Sequence, residues 1–347
     1  MINPQNLFNK FSKAGVKFYT GVPDSLLKDF CAFVTDHTTS KDHVIAANEG
    51  GAIALAAGYH LATNRIPLVY FQNSGLGNAT NPLLSLASKG VYSIPMILMI
   101  GWRGEPNTND EPQHLVQGEI QNELLKTMKI PYWILGKSEE NLSSFVDRVI
   151  STARTESSPV AIVIRKNSFS SYRLKEDVGK FEMTREEALA AVLKQMNENE
   201  LVVSTTGKLS RELYEYRINH HQNPQGDFLT VGSMGHASQI AMGVALNSNK
   251  KVYCFDGDGA ALMHLGSFAI IGGSEAENFT HILFNNGAHE SVGGQPTLGF
   301  KVNFLQIASA CGYKNVISIS RKDQLESLLN KVSGETGPNF IEIKVNK

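Results

Sequence analysis

The stretch Val252-Tyr253-Cys254-Phe255-Asp256-Gly257-Asp258-Gly259 decides how this chain is read. Its apolar run makes a short buried strand. The Gly-Asp-Gly triplet that follows lets the backbone turn tightly and presents a hard carboxylate oxygen at the strand's carboxyl end. Such a triplet also serves as a plain turn. Its surroundings point further, to a ligand site. Ala260 to Ile271 is compatible with a helix, and 25 residues separate Gly259 from Asn285-Asn286, which close a second apolar run, His281-Ile282-Leu283-Phe284. Mg²⁺ favours near-octahedral oxygen coordination and takes part of its shell from phosphates. Asp258, the Asn286 amide and the backbone carbonyl of Ala288 make a fitting donor set, with room left for diphosphate oxygens and water.

Outward from this stretch the chain alternates apolar runs with helical patterns. In the first half the runs are Val16 to Thr20, Val44 to Ala47, Leu68 to Phe71, Pro95 to Ile100, Tyr132 to Leu135 and Val160 to Ile164. Helical stretches lie between them at Ser25 to Asp36, Ala52 to Ala62 and Glu139 to Thr155. The second half repeats the rhythm at Leu201 to Ser204, Leu229 to Val231, Lys251 to Phe255, Thr280 to Phe284, Val316 to Ile319 and Phe340 to Lys344. This pattern predicts two doubly wound, mostly parallel α/β domains with helices on both sheet faces, and ligands gather at the carboxyl ends of such strands. Lys166 to Met183 is polar and lacks apolar periodicity. The boundaries read as a first domain over 1–170, a linker over 171–183 and a second domain over 184–347. Thr184 with Glu187 forms a capping-box pattern that opens the second domain. The halves share no residue-level repeat, although their architectures are expected to be similar.

Composition bounds the function classes. The chain has 347 residues, 42% of them hydrophobic and 19% charged, with a formal net charge of −1. That length suits two ordinary domains, and the charge balance gives no basic excess for nucleic acid. No run approaches a membrane span, and the N-terminus shows neither a basic n-region nor an apolar h-region, so a cytoplasmic protein is expected. Cys31, Cys254 and Cys311 are widely spaced, and all three read as buried thiols. His220-His221 reads as an exposed loop.

Two further segments carry chemistry. Glu49 follows an apolar strand directly and precedes a helix built almost wholly of small side chains, Gly50-Gly51-Ala52-Ile53-Ala54-Leu55-Ala56-Ala57-Gly58. The helix dipole alone favours an acid there, while the small side chains suit close packing against another helix or subunit. Gly232-Ser233-Met234-Gly235-His236 is a flexible turn ahead of another small-residue helix.

Taken in order, Glu49, the Met234 turn and the Gly257-Asp258-Gly259 to Asn286 segment resemble the thiamine diphosphate-dependent decarboxylases. The resemblance implies that Glu49 hydrogen-bonds N1′ of the aminopyrimidine and promotes its imino form. It implies that Gly232, Ser233 and Met234 cradle the cofactor, with Met234 wedged between its rings. Gly257, Asp258, Gly259 and Asn286 then hold the diphosphate, and Asp258, Asn286 and Ala288 hold Mg²⁺. It also implies a homo-oligomer with active sites between subunits. No stretch is long enough for the middle domain that larger members carry, so a minimal two-domain form is expected.

Substrate choice points to the remaining loops, Gly21-Val22-Pro23-Asp24-Ser25, Gln72-Asn73-Ser74-Gly75-Leu76-Gly77-Asn78, and Gly101-Trp102-Arg103-Gly104 with Asp110-Glu111-Pro112-Gln113-His114. Across the whole chain these segments resemble the phosphonopyruvate decarboxylases, close to the sulfopyruvate decarboxylases. The activity implied is decarboxylation of 3-phosphonopyruvate to phosphonoacetaldehyde and CO₂ in phosphonate biosynthesis. Fusion of the two domains in one chain favours phosphonopyruvate over sulfopyruvate. An anionic 2-oxo acid calls for cationic donors. Arg103, Lys208 and Arg211 are the candidates, with Ser25, Asn73 and Gln113 beside them and His114 as a donor or proton carrier. Lys208 and Arg211 also fit an ordinary helix surface. Asp24 either steers a proton or holds its loop by an Asx turn. His289 and Glu290 either face the reacting carbon or order the Gly293-Gly294 loop. Other readings are a carboligase and a non-catalytic phosphate- or nucleotide-binding regulator; Glu49 speaks against the last.

Overall fold

The computed structural model describes residues 1–136, 141–175 and 181–347. Two compact units emerge, Met1–Glu176 with His289–Gln295, and Asp177–Ala288 with Pro296–Lys347. Part of the expected linker, 176–180, and the start of the helix expected from Glu139 lie outside the described residues.

The first unit holds a six-stranded sheet of β1 (Tyr19–Gly21), β2 (His43–Ile45), β3 (Leu68–Gln72), β4 (Ile97–Gly101), β5 (Tyr132–Leu135) and β6 (Val160–Ile164), in the order β2-β1-β3-β4-β6-β5. Every adjacent pair is parallel. Successive side chains on a strand point to opposite faces. Leu68 and Tyr70, Ile97 and Met99, and Val160, Ile162 and Ile164 therefore enter one core layer with Leu7, Phe11, Phe30 and Val149 of the helices Pro4–Lys13, Lys28–His37 and Leu142–Glu156. Val69 and Phe71, Leu98 and Ile100, and Ala161 and Val163 enter the opposite layer. There they meet Ala52, Ile53 and Ala56 of the helix Glu49–Thr63, and Leu125 of the helix Pro112–Thr127. A sheet buried on both faces explains why these strands read as unbroken apolar runs.

The second unit is built the same way from β7 (Leu201–Ser204), β8 (Asp227–Leu229), β9 (Val252–Gly257) and β10 (Phe279–Asn285). The short strands β11 (Ala288–His289) and β12 (Gln295–Pro296) pair with each other, and β13 (Asn315–Ile319) and β14 (Asn339–Lys344) complete the sheet β13-β14-β10-β9-β7-β8. Its adjacent pairs are again all parallel. Counted in its own chain order, this sheet runs 2-1-3-4-6-5, the order of the first. The expected similarity of architecture thus extends to identical topology, with no middle domain. The capping box forms as read, Thr184 accepting from the Glu187 N–H while the Glu187 carboxylate accepts from Thr184.

Local departures have physical causes. The helix expected over Ala260 to Ile271 is two short ones, Asp258–Met263 and Ser267–Gly272, broken by a turn at His264–Gly266 in which the Ser267 N–H bonds the His264 carbonyl. Glycine's backbone freedom disfavours continuing a helix there. The strand expected at Leu229 to Val231 starts earlier, because the buried Arg217–Asp227 pair brings a charged residue into β8 that an apolar pattern passes over. Cys31 and Cys254 are buried, but Cys311 is partly exposed. Among the described residues no helix is long and apolar enough to cross a membrane.

Ile162 lies fully buried at the middle of β6. Ile162→Ala should destabilise the first unit by about 2–5 kcal/mol, read as a lower urea midpoint at unchanged m value; an unmoved midpoint would contradict this packing.

Candidate active site

In each sheet the chain reverses its direction of travel across strands beside the first strand, which opens a crevice at the carboxyl ends. In the first unit this point lies between β1 and β3. Asp24 follows β1 and is fully buried. Its Oδ2 accepts from the N–H groups of Leu26 (2.6 Å) and Leu27 (3.1 Å), an Asx turn, and its Oδ1 accepts from Gln72 Nε2 at the end of β3 (2.8 Å). A Cβ on Gly101, at the end of β4, would lie 2.4 Å from Oδ2. Burial raises the Asp24 carboxyl above its ordinary value, and the Gln72 and Leu26 donors and Arg103 oppose that rise. Asp24 thus holds the turn after β1 and ties it to the end of β3 through Gln72.

Glu49 is the first residue of its helix, capped by Asn48, whose Oδ1 accepts from the Gly51 N–H at 2.8 Å. The carboxylate is buried, only 6% exposed. Asn78 Nδ2 donates to its Oε2 at 2.8 Å, while Oε1 has no hydrogen-bond partner among the described residues. The Gly75 backbone passes so close that a Cβ there would lie 2.5 Å from both Cγ and Oε1. The glycine-rich segment after β3 therefore frames the acid on one side and leaves one oxygen for a ligand.

The loop after β4 is tightly ordered. Asn73 Nδ2 donates to the Arg103 carbonyl (2.8 Å), and the Arg103 N–H donates back to Asn73 Oδ1 (3.2 Å). The Arg103 guanidinium grips Asp110 through Nε and Nη2 and donates through Nη1 to Ser25 Oγ at 2.9 Å. The Gly104 N–H also reaches Asp110. Burial alone would raise the Asp110 carboxyl, but Arg103 and the backbone donors hold it well below the usual range. Gly104 adopts φ +68°, and a Cβ there would lie 1.9 Å from the His114 carbonyl oxygen, so only glycine fits. Of the five guanidinium N–H groups, two keep no protein acceptor among the described residues. His114, half-buried on the following helix, has a buried Nδ1 without a partner among the described residues, and burial and then the Arg103 charge lower its pKa. Gln113 sits half-buried beside it.

The crevice of the second unit lies between β7 and β9. Asp258 is 2% exposed and accepts a short hydrogen bond from Thr297 Oγ1. No cationic side chain pairs with it among the described residues. Burial pushes its carboxyl up to about 6 despite the Thr297 and Asn286 donors, and neighbouring Asp256 adds to the rise. A Cβ on Gly299 would lie 2.4 Å from both Asp258 Oδ2 and Asn285 Oδ1. Asn286 is buried, and its Oδ1 accepts from the Ala288 N–H at 3.0 Å. The Asp258, Asn286 and Ala288 segments are thus brought together. A buried carboxylate with oxygen donors around it and no counter-charge fits a hard divalent cation, and a Cβ on Gly257 would meet nothing within 4 Å, which leaves open space beside it.

Gly232, Ser233 and Met234 form the turn after β8, with Ser233 at φ +54° and Gly235 at φ +86°. A Cβ on Gly235 would lie 2.6 Å from the His264 ring. Met234 is half-buried. Lys208 opens the helix Lys208–Asn219 after β7, and it and Arg211 are exposed in the second unit; Arg103 belongs to the first. Glu49 and Met234 follow the second strand of their respective sheets, Asn73 and Asp258 the third, Arg103 and Asn286 the fourth. Sequence reasoning missed Asn78, Asp110, Thr297 and Gly299 as partners. Asn78 lies in a segment already singled out, while Thr297 and Gly299 come from a stretch without periodicity.

Comparison with known proteins agrees with this layout. Residues 5–129 match the thiamine pyrophosphate enzyme N-terminal TPP binding domain, and residues 205–343 match the C-terminal TPP binding domain. A protein of Streptomyces viridochromogenes named phosphonopyruvate decarboxylase is 32% identical over 363 residues, covering 99% of this chain and 89% of that protein. A Methanosarcina acetivorans protein named sulfopyruvate decarboxylase is 26% identical, covering 99% and 91%. The sulfopyruvate decarboxylase subunit beta of Methanocaldococcus jannaschii is 34% identical over 152 residues, 44% of this chain and 78% of that protein. The M. acetivorans match corrects one expectation, since domain fusion does not separate the two substrate classes. With both cofactor-binding domains matched and similarity running along its whole length, the chain belongs to the thiamine diphosphate-dependent decarboxylase family.

Proposed function

We propose that the chain decarboxylates 3-phosphonopyruvate to phosphonoacetaldehyde and CO₂, a step of phosphonate biosynthesis, with thiamine diphosphate and Mg²⁺. The carrying observation is Glu49, a buried carboxylate with one oxygen tied to Asn78 and the other left for a ligand. Thiamine diphosphate, when bound, supplies the electron sink for the pair released as CO₂ leaves. Glu49 holds and moves the proton at N1′ of the aminopyrimidine. Asp258, Asn286 and the Ala288 carbonyl would hold Mg²⁺, and Gly257 and Gly259 would let the backbone approach the diphosphate. Gly232 and Ser233 shape the turn that carries Met234, whose half-buried side chain offers apolar surface to the cofactor.

The first-unit loops support an anionic 2-oxo acid as substrate. Arg103 keeps two N–H donors free of Asp110 and Ser25, and His114 Nδ1 awaits a partner. Asn73, Ser25 and Gln113 hold or flank this group; Asp24 fixes the turn beneath it. Lys208 and Arg211 are retained as exposed candidates for the anionic tail. Phosphonopyruvate is preferred to sulfopyruvate on the higher full-length identity, 32% against 26%. A homo-oligomer is also proposed, supported by an exposed stripe of Gly51, Ala54, Leu55, Gly58, Leu61 and Ala62 along the Glu49 helix. Such a face lacks any charge to keep it solvated.

Glu49→Gln is expected to keep magnesium-dependent cofactor binding by calorimetry and to lower kcat on the order of 10²–10⁴-fold; unchanged turnover would sink the assignment. CO₂ release from phosphonopyruvate should exceed that from sulfopyruvate and pyruvate, vanish with EDTA and return with Mg²⁺. Preference for sulfopyruvate or pyruvate overturns the substrate assignment, and release independent of thiamine diphosphate overturns the mechanism. Leu61→Arg should shift sedimentation toward the monomer, whereas a wild-type chain that sediments as a monomer at micromolar concentration refutes the oligomer.

A further inference from the structure

Asp256 is the one acidic residue on the strand that leads to the proposed cation site, and it points away from solvent. It is 1% exposed. By strand alternation it shares a sheet face with Val252 and Cys254, the face whose core layer includes Val203, Leu283 and Phe340. An apolar side chain would fill this position without the cost of burying a carboxylate. Its partners are specific. Asp256 Oδ1 accepts from the Gly257 N–H at 2.9 Å, and Oδ2 faces His281 Nε2 at 3.3 Å. His281, fully buried on β10, has its Nδ1 3.1 Å from the Tyr313 hydroxyl. The imidazole is enclosed by Phe268, Phe279, Tyr313 and Phe340, so its orientation is set by packing as well as by hydrogen bonds.

We propose that Asp256, oriented by His281 and Tyr313, is a positioning residue outside the coordination sphere that strengthens divalent-cation binding at Asp258. Two effects act together. The Asp256 carboxylate holds the N–H of Gly257, the residue that aims Asp258, and so fixes the turn. Two residues from Asp258 and equally buried, it also adds negative charge beside a carboxylate with no cationic partner among the described residues, which favours a divalent ion there. The Tyr313–His281 pair resists rotation of Asp256, as the outer partners of metal ligands do elsewhere, where their loss costs about 10–100-fold in affinity. Cys254 lies within the same buried group but faces a closed layer, and no role is assigned to it.

This inference rests on the proposed cation site at Asp258, and the experiment separates the two. Mn²⁺, visible by electron paramagnetic resonance, replaces Mg²⁺ in titrations of the full chain with thiamine diphosphate present. Asp256→Asn keeps shape and removes charge; it is expected to raise the Mn²⁺ Kd about tenfold while kcat at saturating cation stays within twofold. Asp256→Glu should recover part of the affinity. Tyr313→Phe keeps the ring and is expected to raise the Kd several-fold, which decides the matter if Asp256→Asn does not fold. A Kd within twofold of wild type in Asp256→Asn, or in Tyr313→Phe where only that variant folds, overturns the inference. A lower Tm with unmoved Kd does the same, since it marks a purely structural role. Asp258→Asn should abolish binding; if it does not, the cation site itself is misplaced and the underlying reading fails with it.

Discussion

Parallel strand pairing is the constraint on which the rest of this molecule depends. A parallel sheet needs a crossover between successive strands, so all its carboxyl ends emerge at one edge while helices cover both faces. Every named pair in both six-stranded sheets obeys it. Residues far apart in sequence then meet without long loops: Asp24 bonds Gln72 across β1 and β3, and Asn73 bonds the Arg103 backbone across β3 and β4. Most of the candidate polar residues gather at that edge, because apolar layers seal both faces of the strands; the buried Asp256–His281 pair is an exception.

Within this frame the two units solve opposite electrostatic problems. Arg103 is largely compensated by Asp110 on its own loop, a bidentate pair that orders the segment and leaves a limited set of donors outward. Among the described residues no cationic side chain compensates the buried Asp258, and Asp256 adds charge of the same sign beside it. The first arrangement is stable as it stands. The second leaves a buried carboxylate that the Thr297 hydroxyl only moderates, which is the setting the proposed cation site builds on.

Much of the architecture was legible because sheets buried on both faces produce continuous apolar runs. β5, β6 and β7 coincide with the runs read from the sequence, and the capping box at Thr184 is a local pattern that tertiary context did not disturb. β8 was misplaced because its buried Asp227 is matched by Arg217, a pairing invisible to hydropathy. The candidate residues were legible where they sit beside glycine at strand ends. Their partners were less so, since Asp110 meets Arg103 and Thr297 meets Asp258 only after irregular segments fold. Asp24 is a polar residue whose two oxygens are held by different means, Oδ2 by the backbone of its own turn and Oδ1 by the Gln72 side chain across β1 and β3.

The identical 2-1-3-4-6-5 order of the two sheets has a bearing on how the chain is made. Each unit carries its own pair of core layers, one on either sheet face, and the M. jannaschii subunit beta, alike over 44% of this chain, exists as a separate polypeptide. Joining both units in one chain means that translation delivers them in equal number, so neither half can accumulate without the other. Two genes would need matched expression to achieve what a single peptide connection secures.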